Sequence, residues 1–443
     1  MTRPLGVGFI GSGFNTRFHM QGWRGVRDAD VLGVWSPHTK NAASAAALAN
    51  GLAIGACKPY RSIAEMVADP GIDAIWLCGP NQARIENVEE IVDTIARGRG
   101  TLKGIASEKP LARNVGEAKR VSKLVRSVGL KTGYLENQVF APHVEAGRAL
   151  LWARGAATTG RPYLARAAEE HSGPHMPWFW QGRLQGGGVL NDMMCHSALV
   201  VRHLLTRPGE PLSSVKPRRV TGHIASLKWS RPAYAKQLKR TMGAAVDYAK
   251  APSEDFAAMN VEFETADGQT VIGEATTSWS FVGAGLRLSA ELLGPEYSMK
   301  WNSLESGLQL FFSREVKGRA GEDLVEKQNA EQGVMPVIPE EYAAYGYTNE
   351  DRHYVQAFLG RAEPLLSFDD GVEVVKLLMT AYQSAEQGRT LAFPPRGLDA
   401  FTRRWPGARG VRRSRPARCS AGEVCHSPAL PRGAEPVGHP LPR

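Results

Sequence analysis

The chain has 443 residues, 43% of them hydrophobic, which is more than one typical core needs and predicts two domains. Its formal net charge is +10, but residues 396–443 hold ten arginines against one aspartate and two glutamates, so this stretch accounts for +7 and the rest of the chain for +3. The globular part is therefore close to neutral, which argues against a nucleic-acid-binding surface.

The first predicted strand, Leu5–Ile10, is apolar and runs straight into a turn with glycine at 11 and 13. The backbone N–H groups of the helix that follows would then face a diphosphate above the turn. Gly11 suits the tight turn and Gly13 the close approach of the backbone, but Thr16 stands where the dinucleotide fingerprint has its third glycine. The candidate cofactor-binding residues here are Gly11, Gly13, Phe14 and Asn15.

Strands and helices alternate as far as residue 134. We expect strands at 29–35, 73–77, 104–106 and 130–134, and helices after Ser62 and at 83–97 and 114–128. This alternation is typical of a parallel sheet with helices on both faces. The sequence therefore predicts an α/β fold whose residues 1–138 form a doubly wound, Rossmann-type domain.

The end of the second predicted strand bears on which nicotinamide cofactor fits. NAD-binding domains usually place a carboxylate there for the ribose hydroxyls, whereas this chain has Ser36, with Lys40 shortly after it. A hydroxyl and an ammonium suit a 2′-phosphate. In the alternative interpretation Ser36 only begins a turn and Lys40 is a solvated helix residue. We expect NAD(P) as the cofactor, with NADP slightly favoured, and Ser36 and Lys40 among its contacts.

Two short motifs follow the next two strands: Gly79-Pro80-Asn81, and then Glu108-Lys109-Pro110. In this order they resemble the family of glucose-fructose oxidoreductase, inositol dehydrogenase and MocA. The resemblance implies that Lys109 projects toward the nicotinamide and the substrate, and that Gly79, Asn81 and Glu108 belong to the cofactor site. An ammonium held against a substrate hydroxyl would stabilise the alkoxide that develops as hydride leaves.

A second motif similar to that family lies at 186–196, where three consecutive glycines precede Asp192 and His196. On a helix, residues four apart share one face. An imidazole can take a hydroxyl proton near neutral pH, and a carboxylate beside it can orient the ring. The resemblance implies that His196 is the general base and that Asp192 is its orienting residue or a substrate ligand. An ordinary surface pair is the alternative.

Further candidates lie between the two motifs. Asn137 follows the strand at 130–134, and the resemblance implies that it contacts cofactor or substrate. His171, Trp178 and Trp180 belong to an aromatic-rich stretch just before the glycines, which suits the apolar face of a sugar or cyclitol ring. In the alternative interpretation these side chains only pack a loop.

From Val220 the pattern changes to strands with few helices between them. We expect strands at 220–229, 256–264, 270–280, 286–293, 297–302 and 308–312, with Asp267-Gly268 as a hairpin turn, and closing helices at 349–359 and 369–387. This pattern predicts a C-terminal α+β domain over residues 139–395, with a large, mainly antiparallel, open-faced sheet. The resemblance implies oligomerisation through that face, as a homodimer or homotetramer.

Residues 396–443 contain seven prolines and no apolar periodicity, so we expect a disordered tail. The five cysteines form no short metal-ligand pair in the body of the chain, which predicts neither a disulfide framework nor a metal site. We find no signal peptide and no membrane-spanning run, and therefore expect a cytoplasmic protein.

Together these features predict an oxidoreductase that transfers a hydride between NAD(P) and a secondary hydroxyl or keto group of a sugar, cyclitol or glycoside, with no nucleic-acid or membrane partner. Two alternatives remain: an NAD-dependent glycoside hydrolase or eliminase of the same fold, and a non-catalytic protein that senses its cofactor. Net production of NAD(P)H separates the first alternative from the prediction. The joint presence of Lys109, Asp192 and His196 counts against the second.

Overall fold

The computed structural model describes residues 3–305, 307–313 and 323–403. Its first sheet has six parallel strands in the order β3-β2-β1-β4-β5-β6. The strands are β1 (Leu5–Ile10), β2 (Ala29–Trp35), β3 (Lys58–Pro59), β4 (Ala74–Leu77), β5 (Gly104–Glu108) and β6 (Lys131–Leu135). β1, β4 and β5 are buried along their whole length, as in a sheet covered on both faces. The doubly wound α/β arrangement expected from the alternation is confirmed.

Five helices connect these strands. They are α1 (Phe14–Trp23), α2 (Thr39–Gly51), α3 (Ile63–Ala68), α4 (Arg84–Ala96) and α5 (Val115–Ser127). Two of them begin at residues that the sequence predicts as caps. The Ser62 hydroxyl accepts the N–H of Glu65 at 3.0 Å, and the Asn114 side chain accepts the N–H of Glu117 at 3.0 Å.

The glycine turn lies at the carboxyl edge of this sheet, at the point where the strand order reverses. β1 pairs with β2 on one side and with β4 on the other, so connections leave it in both directions and open a crevice beyond the strand ends. β1 ends at Ile10 and α1 begins at Phe14, which puts the turn in that crevice. β5 ends at the same edge with Glu108.

The second sheet has seven strands in the order β12-β11-β7-β10-β9-β8-β15. All neighbouring pairs are antiparallel except β7 and β10, so the mainly antiparallel sheet is confirmed. The strands are β7 (Leu164–Glu170), β8 (Val215–Ala225), β9 (Phe256–Thr265), β10 (Thr270–Ser278), β11 (Arg287–Gly294), β12 (Tyr297–Asn302) and β15 (Leu391–Ala392). A separate hairpin pairs β13 (Leu308–Phe312) with β14 (Gly333–Val337).

The longer helices of the second half of the chain pack either on one face of the second sheet or against elements of the first sheet. The helices are α6 (Pro142–Leu150), α7 (Ala157–Thr159), α8 (Gly182–Gln185), α9 (Val189–Leu205), α10 (Pro232–Met242), α11 (Glu341–Ala344), α12 (Tyr347–Phe358) and α13 (Phe368–Gln387). Every residue of α9 is buried, because this helix lies on β7 and β10 and beside α13. The opposite face of the sheet carries Arg166 paired with Glu274 and Glu291. Oligomerisation through that face stays a prediction.

Helix α12 ties the second part of the chain to the first sheet. The Asp351 carboxylate accepts the indole N–H of Trp76 on β4 at 2.9 Å. The Tyr354 hydroxyl donates to the backbone carbonyl of Tyr134 on β6 at 2.7 Å. Both contacts are buried, so residues from the two halves of the chain are held in one packed unit close to the ends of the parallel strands.

Three differences from the expectations concern β7, β13 and the end of the described chain. Strand β7 was not expected, because Leu164–Glu170 alternates small alanines with charged residues instead of presenting bulky apolar ones. The strand at 308–312 lies in the separate hairpin and not in the large sheet. Residues 396–403, assigned to the disordered tail, instead pack on the body through buried Leu398 and through Asp399, which pairs with Lys119. The remainder of the predicted tail, 404–443, lies outside the described residues. Among the described helices, none has the length and apolar content needed to cross a membrane.

Candidate active site

The glycine turn after β1 has the shape of a phosphate cradle. Gly11 has a φ of +112°, and a Cβ on it would lie 2.9 Å from the carbonyl carbon of Cys78, so only glycine fits there without strain. A Cβ on Gly13 would meet nothing within 4 Å, which leaves open space above the turn. Helix α1 begins at Phe14 without a side-chain cap, so its first N–H groups, including that of Asn15, face outward. These features fit a dinucleotide diphosphate.

The residues predicted to choose between NAD and NADP lie beside the glycine turn, at the end of β2 and the start of α2. The Ser12 hydroxyl donates to the Ser36 hydroxyl at 2.9 Å, which ties the glycine turn to the end of β2. Lys40 is exposed in the first turn of α2. Arg17 on α1 reaches α2 and donates to the Ser44 hydroxyl at 2.8 Å. This corner thus carries cations and hydroxyls, with no carboxylate at the end of β2.

Gly79 and Asn81 take up different positions. Gly79 lies against Gly11, whose added Cβ would come within 3.0 Å of the Gly79 nitrogen. The Asn81 amide is buried and already bonded: it donates to the backbone carbonyl of Gln185 at 3.1 Å and accepts from Arg84 at 3.1 Å. Asn81 therefore joins the two halves of the chain, and its part in the cofactor site stays a prediction.

Glu108 is a buried support for its neighbour Lys109. One carboxylate oxygen accepts the N–H of Lys109 at 3.1 Å, and the other lies 3.0 Å from Nε2 of His19. Nδ1 of His19 lies 2.9 Å from Asp351 on α12. Burial lowers the pKa of His19, but the two carboxylates outweigh burial and raise it well above its ordinary value. An imidazolium therefore links α1, β5 and α12 directly behind the lysine.

Lys109 extends from the end of β5 to the start of α9. Its ammonium donates to the backbone carbonyl of Asp192 at 3.1 Å, and Nζ lies 3.8 Å from the carboxylate of the same residue. The Gln185 amide donates to that carboxylate at 3.3 Å. Burial lowers the pKa of Lys109, but Asp192, Cys195, Glu169 and Glu108 together outweigh burial and raise it. The side chain is therefore a fixed cation.

His196 lies one helical turn beyond Asp192 but does not pair with it. Nδ1 is hydrogen-bonded to Glu136, at the end of β6, and Nε2 lies 3.5 Å from Glu169 on β7. Burial lowers the pKa of His196 to about 4, so the ring is uncharged at neutral pH. The expectation that Asp192 orients His196 is wrong. Asp192 braces the lysine, and Glu136 holds the imidazole.

Lys109, Asp192 and His196 line one cavity of about 120 Å³ between the strand ends of the two sheets. The residues predicted from sequence that also line it are Phe14, Asn15, Asn137 and His171. Asn137 donates its amide to the backbone carbonyl of Tyr345 at 2.7 Å. His171 accepts the N–H of Gly173 on Nδ1 at 2.9 Å, and burial lowers its pKa well below the ordinary value, which leaves the ring proton on Nε2.

The two predicted substrate tryptophans do not line this cavity. Trp180 is 2% exposed, with its ring 5.2 Å from that of Trp229 and 5.0 Å from that of Trp279, so it belongs to the core. Trp178 stacks on Phe179 at 3.8 Å, and only Phe179 reaches the cavity. Composition alone does not distinguish an aromatic that contacts substrate from one that fills a core.

Two models of one protein family match this chain. The model described as "Oxidoreductase family, NAD-binding Rossmann fold" matches residues 5–134, and the GFO/IDH/MocA C-terminal domain matches residues 155–299. Together they cover more than half of the sequence. The chain belongs to the GFO/IDH/MocA family. The resemblance stated from the motifs is thereby confirmed.

Relatives of this GFO/IDH/MocA protein include a yeast protein and a bacterial reductase. The uncharacterized protein YMR315W of Saccharomyces cerevisiae is 29% identical over 147 residues, 33% of this chain and 39% of its own. The 1,5-anhydro-D-fructose reductase of Ensifer adhaerens is 29% identical over 203 residues, 45% of this chain and 56% of the reductase. The chain thus spans about half or less of the length of these curated relatives. A solved structure, GenD2 from gentamicin A biosynthesis in complex with NAD, is 25% identical, with a TM-score of 0.69 over 89% of this chain and 97% of GenD2.

Sequence reasoning missed several polar residues in the cavity of this GFO/IDH/MocA protein. They are Gln138, Glu169, Glu326, Lys327, Tyr345 and Tyr347, which line it, and Glu136, which lies behind His196 and is bonded to it. A signal existed for Glu136, because it directly follows a parallel strand at the edge where ligands bind and precedes Asn137. The tyrosines come from the junction of α11 and α12, far along the chain, and no local pattern marks them.

Among the described residues, two buried clusters have the composition of a metal site, and one of them contains His196. Ligand atoms of Glu136, Cys195 and His196 all lie within 4.8 Å of one another. They are already bonded: His196 to Glu136, and the Cys195 thiol to the backbone carbonyl of Asp192 at 3.2 Å. Burial also raises the pKa of the Cys195 thiol well above its ordinary value, and a protonated thiol is a poor ligand. We therefore interpret the cluster as a hydrogen-bonded network.

Proposed function

We propose that this protein is an oxidoreductase that transfers a hydride between NAD(P) and a secondary hydroxyl or keto group of a sugar, cyclitol or glycoside. The observation that carries the proposal is that Lys109 and His196, from separate halves of the chain, line one cavity beside the glycine turn. A cation and an uncharged imidazole facing one space are what reversible oxidation of an alcohol needs. The reductase and the NAD complex among the relatives agree with it.

The chain has the parts to hold a dinucleotide. Gly11 and Gly13 leave the backbone free to approach a diphosphate, and the uncapped first turn of α1 supplies N–H groups and the positive end of its dipole. Phe14 and Asn15 belong to that first turn and also line the cavity, so the diphosphate cradle and the reaction space are adjacent. When bound, the nicotinamide supplies the acceptor or donor of hydride.

Lys109 would bind the reacting oxygen of the substrate. Its ammonium is held by Asp192 through the backbone carbonyl at 3.1 Å and through the carboxylate at 3.8 Å, so its position is defined before substrate arrives. A preorganised cation stabilises an alkoxide more than a neutral alcohol, and this difference lowers the barrier. Asp192 contributes by fixing the lysine.

His196 would take the hydroxyl proton through Nε2. Because burial lowers the pKa of His196 to about 4, the uncharged ring is the resting form over the physiological range. In the reverse direction the same nitrogen returns the proton to the new hydroxyl. Tyr345, Tyr347 and His171 offer further polar groups around the cavity, which suits a ring with several hydroxyls.

For the cofactor we propose that NADP is accepted and slightly preferred. Ser36 leaves room for a 2′-phosphate where a carboxylate would repel it. Two cations are close by along the chain: Lys40 follows Ser36, and Arg17 follows Ser12, which is bonded to Ser36. The test is Ser36→Asp. We expect it to weaken NADP binding at least tenfold relative to NAD, and an unchanged ratio of the two affinities would contradict the proposal.

The deciding experiment offers the purified protein a panel of cyclitols, monosaccharides and 1,5-anhydro sugars with NAD and with NADP, and follows the absorbance of the reduced cofactor. We expect net NAD(P)H with at least one substrate, and at least about a 10²-fold lower rate with His196→Asn, which keeps a polar atom near Glu136 but removes the base. A protein that binds cofactor but yields no net NAD(P)H with any substrate would refute the oxidoreductase.

A further inference from the structure

The Glu136 carboxylate is bonded to Nδ1 of His196, and the proposed hydride transfer gives it no part. It directly follows β6 and is wholly buried. One of its oxygens, Oε1, is hydrogen-bonded to Nδ1 of His196, the nitrogen on the far side of the ring from Glu169. The other, Oε2, is buried without a hydrogen-bond partner in the part of the chain that the structure describes. A buried carboxylate oxygen left without a partner is costly unless the group can carry a proton.

We propose that Glu136 is the positioning residue of His196 and the group on which the substrate proton comes to rest. The proposal rests on the proposed function and adds a second proton carrier to it. With Nδ1–H donating to the Glu136 carboxylate, Nε2 has a free lone pair, and this is the tautomer that a base facing the substrate needs. Asp192 cannot do this, because it is engaged with Lys109 and Gln185.

The proton balance of the oxidation is complete. The C–H bond breaks, and its electron pair leaves as hydride to the oxidised nicotinamide. The hydroxyl proton passes to Nε2 of His196 while the Nδ1 proton passes to Glu136, and the C=O bond forms. The imidazole ends uncharged and Glu136 ends protonated. Reduction runs the same transfers backward, so it starts from protonated Glu136.

Glu169 is the competing carboxylate, and the geometry assigns it a different part. It lies on the Nε2 side of the ring at 3.5 Å, and one of its oxygens accepts the Gln138 amide at 2.7 Å. A substrate hydroxyl approaching Nε2 would come to that side. Glu169 is therefore placed to contact substrate, whereas Glu136, of these two carboxylates, is bonded to the nitrogen that must lose its proton.

The pH dependence follows from the surroundings of Glu136. Burial raises the pKa of Glu136 to about 8, and the charge of Lys109 opposes burial. Below that value Glu136 is protonated and donates to Nδ1, so Nε2 carries the ring proton and cannot accept another. Oxidation should therefore rise with pH through about 8, and reduction should fall. The elements around Glu136 carry further titratable groups. They are Glu108 and Lys109 at the end of β5, Tyr134 on β6, Glu169 on β7, Asp192, Cys195 and His196 on α9, and Glu350 and Tyr354 on α12.

The kinetic test compares Glu136→Gln with wild type across the pH range. A glutamine oxygen can accept a hydrogen bond from Nδ1–H, but it cannot take up the proton. We expect kcat for oxidation to fall about 10²-fold with KM little changed, and the rise near pH 8 to disappear. Glu136→Asp should keep a rise with pH at a reduced rate. Glu145→Gln, at an exposed glutamate on α6 outside the cavity, is the control and should keep the wild-type profile.

A second measurement needs no turnover. ¹⁵N NMR spectra of the full-length protein, labelled at histidine, report the tautomer of each ring directly. The His196 signal is assigned by its loss in His196→Asn. We expect wild-type His196 to change from the Nε2–H to the Nδ1–H form through about pH 8 while staying uncharged, and Glu136→Gln to keep Nδ1–H throughout. A tautomer that ignores pH in wild type, or a pH profile unchanged in Glu136→Gln, would overturn the role of Glu136. Failure of the substrate panel with this tautomer change intact would overturn the proposed function alone.

Discussion

Replacing Lys109 by methionine removes a charge while keeping most of the side-chain volume. Nζ lies 3.8 Å from the Asp192 carboxylate, and at an effective dielectric constant of about 20 two unit charges at that distance interact by about 4 kcal/mol. An alkoxide in the same environment gains an energy of this order once its charge has developed. Because a transition state carries part of that charge, we expect a loss of about 3–4 kcal/mol, or about 10²–10³-fold in kcat.

The assay is initial-rate formation of NAD(P)H with the best substrate of the panel, together with a fluorescence titration of reduced cofactor. We expect cofactor affinity within about threefold of wild type, because the diphosphate cradle is built from the glycine turn and α1. Lys103→Met is the control: that lysine is half-exposed, pairs with Asp73 at 3.2 Å, and should leave kcat within about twofold. A Lys109→Met protein that is folded and keeps more than about a tenth of wild-type kcat would refute the assigned role.

Two further predictions concern the cradle and the core. Gly13→Ala should weaken binding of reduced cofactor about tenfold by calorimetry while leaving stability within about 1 kcal/mol, because its φ of −78° suits alanine and the added Cβ enters the open space above the turn. Unchanged affinity would mean that the diphosphate lies elsewhere. Trp180→Ala should lower the free energy of unfolding by about 3–5 kcal/mol in a urea titration, and Trp178→Ala by less, because only Trp180 is fully buried. A raised KM with unchanged stability in Trp180→Ala would contradict its place in the core.

Local chemistry accounts for most of the elements found from sequence. The apolar run of β1, the turn residues after it and the caps Ser62 and Asn114 all act within a few residues, so their effect can be read from a short window. The sequence does not indicate β7 because its buried residues are two alanines, Ala165 and Ala167, and two glutamates, Glu169 and Glu170, which carry little β signal. Its place in the middle of the sheet is decided by neighbours at residues 270–294.

The candidate site divides in the same way. The motifs around Lys109 and His196 pointed to residues that do line one cavity. Helical spacing correctly puts Asp192 and His196 on α9, but it does not choose their partners. Asp192 meets Lys109 and His196 meets Glu136, and both partners directly follow strands of the other sheet.

The sequence by itself therefore determined the local features: where strands and helices begin and end, where glycine leaves room for a phosphate, and which ionisable residues are available. What only the tertiary structure decided is the pairing of those residues and which aromatic rings are buried. The physical reason is the distance along the chain over which each interaction acts. Capping and backbone conformation depend on neighbours in the chain, whereas the pKa and orientation of His196 depend on burial and on a carboxylate 60 residues away.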